Sequence, residues 1–191
     1  MPQPLTENQS EGTYWRWDSL EERPACAAGV AKVASYWAFL EFSLIMMFFQ
    51  ATGDPEWDDF GEVEIVGHQL AFSTLSVLES TTAKLDVIAA GIASCLPGKS
   101  AAFDQLRKGI GSCARERNRI VHAVWGVNKV YPDHIIRVEK FDHKFIKYTP
   151  KDFDDVAQRI KEQIDAVSAF DADCRAARTA ELPPKQRGQP Q

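Results

Sequence analysis

The chain has 191 residues, of which 45% are hydrophobic and 26% charged, and its net charge is −5. These values are ordinary for one soluble globular domain with a sizeable core, and they exclude a protein whose whole surface attracts nucleic acid. Its cysteines form no CxxC pair, so we expect free thiols in a reducing cytoplasm and neither a disulfide nor a zinc site. They are Cys26, Cys95, Cys113 and Cys174.

Residues 1–23 are polar and predict a partly irregular N-terminal segment. Glu7 and Glu11 precede any apolar run, which argues against a signal peptide. We expect Trp15 and Trp17 to pin the segment onto the core, because large aromatic side chains are most often packed. The helical domain is predicted to occupy residues 24–181.

A long first helix is predicted from Pro24 to Thr52. Its middle, Ala34–Gln50, is apolar on nearly every side, which indicates burial on several faces. Lys32 and Glu41 interrupt it, and its uncharged runs are shorter than the ~20 residues of a membrane span, so no membrane is expected. Because a small domain covers only some faces of such a helix, the pattern favours a homodimer.

Further helices are predicted between the first helix and residue 124. An acidic connector at 56–66 is expected to lead into a short helix. A second helical stretch follows from Val66 to Cys95, bent near Ser80, and a third main helix runs from Lys99 to Ala123. Apolar residues recur along both at spacings of three and four, as in amphipathic helices.

Between residues 125 and 148, apolar residues recur at every second position, which predicts a small β-meander before the last helix. Turns are predicted at Tyr131–Asp133 and Asp142–His143. Thr149-Pro150 is a strong helix start, and the last helix is expected to run to about Ala180. The polar tail, 182–191, is predicted to be disordered. The predicted fold is therefore mainly α, an antiparallel bundle of four to five helices with an inserted meander.

The end of the third helix holds the most informative stretch, Arg115–Gly126. On a helix, one face collects Arg115, Asn118, Arg119 and His122. Another side collects Ile120, Val121 and Val124, which we expect to anchor the helix in the core. A local basic patch on an acidic protein is more informative than one on a basic protein.

These residue types suit metal-free cleavage of RNA. Histidine transfers protons near neutral pH, and arginine matches the geometry of a phosphate. His122 would move the proton when the 2′-hydroxyl attacks phosphorus, and Arg117, helped by Arg115 or Arg119, would stabilise the phosphoryl charge. One histidine does not easily act as both base and acid, so two copies across a two-fold axis are expected. No metal or cofactor is expected, because no acidic pair or histidine cluster has ligand spacing.

The stretch Arg117-Asn118-Arg119-Ile120-Val121-His122 has Arg, four residues and then His, with Asn directly after the Arg. It resembles the motif of the HEPN (higher eukaryotes and prokaryotes nucleotide-binding) superfamily, as does its position at the end of the third main helix. The resemblance implies a dimeric, metal-independent ribonuclease, and several such proteins are toxins or phage-defence effectors. It implies Arg117 as the phosphate-stabilising residue, Asn118 as a polar helper and His122 as the acid or base. Glu41 resembles the acid often seen in the first helix, which would pair with Arg117 or Arg119; the alternative is a partly exposed carboxylate with no such role.

Two features depart from the family pattern. HEPN toxins that pair with a nucleotidyltransferase antitoxin often carry Tyr two positions after the His, where this chain has Val124. The β-meander is an elaboration that either shapes an RNA groove or covers the end of the bundle. The groove would use Lys129, Arg137, Lys140, Lys144 and Lys147.

Three hypotheses follow. The first is the dimeric cytoplasmic ribonuclease, with RNA as substrate and an antitoxin as a further partner. The second is a HEPN-type dimer that binds RNA, nucleotide or a partner protein without turnover. The third is a structural dimer, with a solvated arginine face, in which Arg117 and Asn118 are held in intrachain pairs and His122 is sealed from solvent. Because Arg117 and His122 lie about 140° apart around an ideal helix, the first requires Arg117 to reach round.

Overall fold

The computed structural model describes residues 2–57, 63–66, 69–139 and 144–181. The fold is mainly helical, and a five-stranded antiparallel sheet contains the meander predicted before the last helix. Among the described residues there are six α-helices, five of which have nine residues or more. The elements in chain order are β1 (Gln3–Pro4), α1 (Glu7–Ser10), β2 (Tyr14–Trp15), α2 (Pro24–Thr52), β3 (Asp54–Trp57), β4 (Val63–Val66), α3 (Gln69–Val77), α4 (Thr81–Cys95), a 3-10 turn (Pro97–Lys99), α5 (Ser100–Val121), β5 (Val124–Val127), β6 (Ile135–Val138), β7 (Phe145–Tyr148) and α6 (Pro150–Glu181).

The ends of the long helices follow from local chemistry. The bend predicted near Ser80 is a full break, because the Ser80 side chain accepts a hydrogen bond from the Ala83 backbone N–H and starts α4. At the start of α6, the Asp152 backbone N–H donates to the Thr149 hydroxyl oxygen over 3.2 Å. The Thr149 backbone N–H donates to the Asp152 carboxylate over 2.8 Å in return, so the predicted cap is a reciprocal pair.

The acidic connector predicted at 56–66 is followed by a short helix, α3, as expected, but the described residues of the connector belong to two strands, and residues 58–62 lie outside the described part of the chain. Strands β3 and β4 pair antiparallel there, with Asp54 opposite Val66 and Trp57 opposite Val63. The β-branched residues of β4 favour a strand, and the acidic residues around them obscured that preference. The predicted turn at Asp142–His143 and the predicted tail at 182–191 lie outside the described residues.

The N-terminal segment is more regular than its polarity suggests. Strand β1 pairs with β7, and β2 pairs with β5, so the strand order is β1-β7-β6-β5-β2. The two short strands satisfy backbone groups on both edges of the meander. Gly126 allows the approach of β2, since a Cβ there would lie 2.9 Å from the Tyr14 carbonyl oxygen.

The chain forms two compact units. The first comprises the residues up to Phe39 together with Ser112–Glu162, and it contains the five-stranded sheet. Its core includes an aromatic cluster in which Trp125 lies 5.3 Å from Tyr148 and 5.7 Å from Phe153 between ring centroids. Helix α2 packs closely on α6 at Gly29, where a Cβ would lie 2.6 Å from that of Phe153.

The second unit comprises Leu40–Gly111 and the residues from Gln163 onward, and it contains the β3–β4 pair. Phe103 and Phe170 pack with their ring centroids 5.8 Å apart. Its other fully buried side chains include Leu40, Leu44, Met47, Leu75, Ile88, Ile92 and Ile110. The burial of Leu75, Ile88, Ile92 and Ile110 confirms the apolar stripes predicted for the second helical stretch and the third main helix.

Helix α2 keeps much apolar surface exposed. Only 28% of its most apolar 18-residue window is buried, and Phe39 and Phe42 are 56% and 52% exposed. By length and composition alone, this is the described helix that could cross a membrane. One such helix is weak evidence, since the core helices of soluble proteins share these properties.

Candidate functional site

The stretch with the family-like motif lies where α5 gives way to β5. Ile110, Cys113 and Ile120 are buried on one side of α5, which turns its polar residues away from the core. The helix ends at Val121, and the His122 backbone N–H still donates to the Asn118 carbonyl oxygen over 3.2 Å. His122 therefore occupies the turn that follows the helix.

Val124 does not continue the apolar side of the helix, as the sequence led us to expect. It is the first residue of β5, which pairs with Val138 across the sheet. The β-branched and aromatic residues Val124-Trp125 favour a strand, and the sheet supplies the backbone partners that fix it. The helix is thus anchored by Ile120, while Val121 is half-buried.

Arg117, Asn118 and His122, hereafter the motif residues, come together. Nη1 of Arg117 donates a 2.9 Å hydrogen bond to Oδ1 of Asn118 and lies 3.5 Å from Nε2 of His122. The long arginine side chain thus spans the about 140° that separates it from His122 around the helix. Asn118 and His122 are exposed, and Arg117 is half-buried.

The electrostatics of this contact are simple. A guanidinium only donates, so a hydrogen bond between these two atoms requires Nε2 of His122 to be the acceptor. Nε of Arg117 is buried without a hydrogen-bond partner among the described residues. A fixed positive charge and a group that transfers protons therefore lie side by side, which is what cleavage of a phosphodiester needs.

The structural hypothesis is met in one respect and contradicted in another. Arg117 and Asn118 do form an intrachain pair, but they pair with each other and within reach of the histidine. His122 is exposed and not sealed from solvent. The motif residues thus form an accessible polar cluster.

The two flanking arginines lie in different places. Arg115 and Arg119 are both exposed. Arg119 lines a cavity together with Glu116 and Arg159, whereas none of the motif residues lines it. Glu116 accepts hydrogen bonds from Nε and Nη2 of Arg159, over 3.1 and 2.7 Å. Arg119 therefore belongs to the lining of this cavity and not to the cluster of motif residues.

A second cavity, of about 420 Å³, adjoins the α5–β5 turn and is called the tryptophan cavity here. Trp15 and Trp17 line it and are 55% and 90% exposed, so the prediction that they pin the segment to the core is wrong. The backbone pairing of β2 holds this segment and leaves the side chains outside. Arg16, between the two tryptophans, pairs with Asp18 and Glu22 over 2.9 and 3.0 Å. The other lining residues are Ser19, Leu20, Ala123, Val124 and Trp125.

Glu41 is not a partner of the motif. Its Oε1 accepts a 3.2 Å hydrogen bond from Nζ of Lys84, which links α2 to α4 within the second unit. The partner of Glu41 is thus Lys84 and not Arg117 or Arg119, as the resemblance implied. Sequence reasoning missed this because nothing near Lys84 in the chain indicates which helix it faces.

The basic residues of the meander do not act as one set. Arg137 is buried, and its Nη2 pairs with Glu139. Lys147 lies with Nζ 4.9 Å from the centroid of the Tyr131 ring. Lys129 and Lys144 are exposed, and Lys140 lies outside the described residues. Arg137 is therefore not exposed alongside these lysines, as the predicted RNA groove requires.

Comparisons of the chain with protein-family models, with curated proteins and with solved structures find no match. Among the residues that the structure describes, no group of three or more His, Cys, Asp or Glu side chains is arranged to hold a metal ion. The functional argument therefore depends on the geometry of the motif residues and the cavity beside them.

Proposed function

We propose that this chain is a metal-independent endoribonuclease of HEPN type, with Arg117, Asn118 and His122 in its active site. The observation that carries the proposal is the contact of 3.5 Å between Arg117 Nη1 and His122 Nε2. It joins a permanent positive charge to a group that can accept or donate a proton near neutral pH. Asn118 orients the guanidinium by accepting a hydrogen bond from one of its N–H groups.

The reaction is a transesterification within the RNA. The 2′-hydroxyl loses its proton to a base and its oxygen bonds to the adjacent phosphorus, while the bond from phosphorus to the 5′-oxygen breaks. The leaving 5′-oxygen takes up a proton, so the products are a 2′,3′-cyclic phosphate and a 5′-hydroxyl. His122 transfers a proton, and Arg117 stabilises the charge that grows on the phosphoryl oxygens.

A homodimer completes this proposal, because base and acid are then imidazoles from two protomers. The exposed apolar surface of α2 supports a partner: soluble proteins rarely leave large contiguous apolar patches uncovered. In this arrangement, each protomer contributes its motif residues to a shared cleft.

The tryptophan cavity supports single-stranded RNA as the substrate. Exposed aromatic rings stack on unpaired bases whatever the sequence, and Trp17 and Trp15 offer two such rings. The cavity includes Ala123 and Val124, which directly follow His122. Bases held there would bring the neighbouring phosphodiester toward the motif residues.

The proposed setting is the cytoplasm, in a toxin–antitoxin or phage-defence system, where an antitoxin protein would restrain the nuclease. The four cysteines are unpaired in the structure, which fits a reducing compartment. Arg115, exposed on the same face of α5 as Asn118 and His122, would contact the backbone of bound RNA.

The proposal is tested by incubating RNA with purified wild-type protein and with His122→Ala. We expect loss of cleavage in the variant with an unchanged oligomeric state, and no effect of chelator on the wild type. His134→Ala is the matched control, since the same substitution outside the motif should retain cleavage. Binding of RNA without cleavage by the wild type would favour the non-catalytic dimer instead.

A further inference from the structure

The first unit contains another polar cavity, of about 290 Å³, which we call the arginine cavity. Three arginines line it, each from a different element: Arg119 on α5, Arg137 on β6 and Arg159 on α6. Helix α5 contributes Glu116, Arg119 and Ile120 to the lining, and none of the motif residues lines the cavity. The cavity is therefore a separate feature from the proposed active site.

Arg137 is the unusual member of this cavity. Its side chain is 9% exposed, and Nη2 pairs with Glu139. Its Nε is buried without a hydrogen-bond partner among the described residues. A buried N–H without a partner is costly, and in native proteins such groups are normally satisfied by protein, water or a ligand. Arg137 thus has an unpaired donor in a side chain that lines the cavity.

The charges around the cavity favour an anion. Arg159 pairs with Glu116, which also lines the cavity, and Arg137 pairs with Glu139. The excess positive charge therefore comes from Arg119, which has no ion-pair partner within the described part of the chain. The Arg137 guanidinium lies 6.0 Å from the centroid of the Tyr148 ring. Burial raises the pKa of Tyr148, while the charges of Arg137 and Arg119 oppose that rise, so both guanidiniums act on this one hydroxyl.

From this arrangement we infer that the arginine cavity binds the phosphate group of a small phosphate monoester. Guanidiniums bind phosphate through parallel N–H donors, and Arg119 and Arg137 supply them from two sides. Ile120 and Val156 give the cavity an apolar wall that suits the carbon part of the ligand. This inference does not depend on ribonuclease activity, because no motif residue lines the cavity.

The test measures binding of inorganic phosphate, ribose 5-phosphate and ribose to the full chain by calorimetry. We expect both phosphates to bind and ribose not to bind. Arg119→Ala should weaken binding about tenfold or more, because a hydrogen bond from a charged donor is lost. Arg119 is exposed, so this variant should fold, and Arg175→Ala, at an exposed position of α6 that does not line the cavity, is the matched control, with unchanged affinity.

A second variant, expected to raise the affinity for phosphate, excludes a purely structural effect. Glu116→Gln removes the carboxylate that lines the cavity and frees Arg159, so phosphate should bind several-fold more tightly. Failure of the wild type to bind either phosphate at millimolar concentration would overturn the inference. So would equal affinity in Arg119→Ala, or weaker binding in a folded Glu116→Gln variant.

Two sources of the phosphate are distinguished in the same experiment. Short RNAs of one sequence, with and without a 5′-phosphate, are compared on His122→Ala protein so that no cleavage interferes. Tighter binding of the phosphorylated RNA that is lost in Arg119→Ala identifies an RNA end as the ligand. Equal binding of the two RNAs, together with binding of ribose 5-phosphate, identifies a free small molecule.

Discussion

Nη1 of Arg117 lies 3.5 Å from Nε2 of His122, although the two residues point to different sides of their helix. The guanidinium is held in this position by Asn118, which lies between Arg117 and His122 around the helix and accepts a 2.9 Å hydrogen bond from the guanidinium. This geometry explains why the motif has Arg five residues before His and Asn directly after the Arg. The arginine reaches round the helix end, and the asparagine holds it there.

The reach of Arg117 gives the first prediction. Arg117→Lys keeps the charge but loses the planar guanidinium, whose Nη1 contacts both Asn118 and His122. We expect RNA cleavage to slow by about 100-fold or more, a typical cost of removing one donor that stabilises a transition state. Single-turnover rates measure this, with Arg175→Lys, at an exposed position of α6 outside the proposed site, as the control of the same chemistry. A wild-type rate in Arg117→Lys would remove Arg117 from the mechanism.

The tryptophan cavity gives the second prediction. Trp17 is 90% exposed, so Trp17→Ala should leave the unfolding midpoint unchanged. Affinity for single-stranded RNA should fall by about 5- to 100-fold, since stacking contributes about 1–3 kcal/mol per base. Trp17→Phe keeps a stacking ring and should retain most of the affinity. Equal affinity in wild type and Trp17→Ala would show that RNA binds elsewhere.

Close packing at Gly29 gives the third prediction. A Cβ there would lie 2.6 Å from the Cβ of Phe153, a rigid part of that side chain, so the helices must separate. We expect Gly29→Ala to lower the free energy of unfolding by about 1–3 kcal/mol. Gly98 is the matched control, because a Cβ there meets nothing within 4 Å. Chemical denaturation measures both, and equal stability of the two variants would contradict the packing described here.

Cys174 gives the fourth prediction. Burial, with Asp171 and Asp173 nearby, raises the pKa of its thiol from 9.0 to about 11, against the opposing charge of Lys99. Between these values the unfolded chain loses the thiol proton and the folded chain keeps it. Stability should therefore fall as the pH rises from about 9 to 11, by about 2–3 kcal/mol for this group.

Urea unfolding in reducing buffer at about pH 8 and pH 10.5 checks this. Other groups also titrate in this range, so the informative quantity is the difference between wild type and Cys174→Ala. The variant should lose less stability on going to the higher pH, whereas Cys95→Ala, at a half-exposed position, should behave as the wild type does. An identical loss in wild type and Cys174→Ala would show that the thiol titrates normally.

The parts of the fold that the sequence predicts are those with a long local pattern. Helix α2 has the predicted bounds, Pro24–Thr52, because its apolar run is long and Gly53-Asp54-Pro55 ends it. The start of α6 follows from Thr149 and Pro150, and the meander follows from its period of two. Strands of two residues, such as Tyr14–Trp15, are too short to show an alternating pattern of apolar and polar residues, so they were not predicted.

The site was predictable in its residues but not in its surroundings. Residue types and spacing identified Arg117, Asn118 and His122, which the structure brings together. The partner of Glu41 depends on which helix lies opposite, and the burial of Arg137 depends on sheet packing. Neither relationship is encoded by neighbours in the chain, because both are set by contacts between distant elements.

The proposed chemistry is tested most directly by the ends of the RNA products formed in excess chelator. The account predicts that the wild type leaves 2′,3′-cyclic phosphate and 5′-hydroxyl ends, and that His122→Ala forms neither. Products with 3′-hydroxyl and 5′-phosphate ends, or undiminished cleavage by a folded His122→Ala protein, would contradict it.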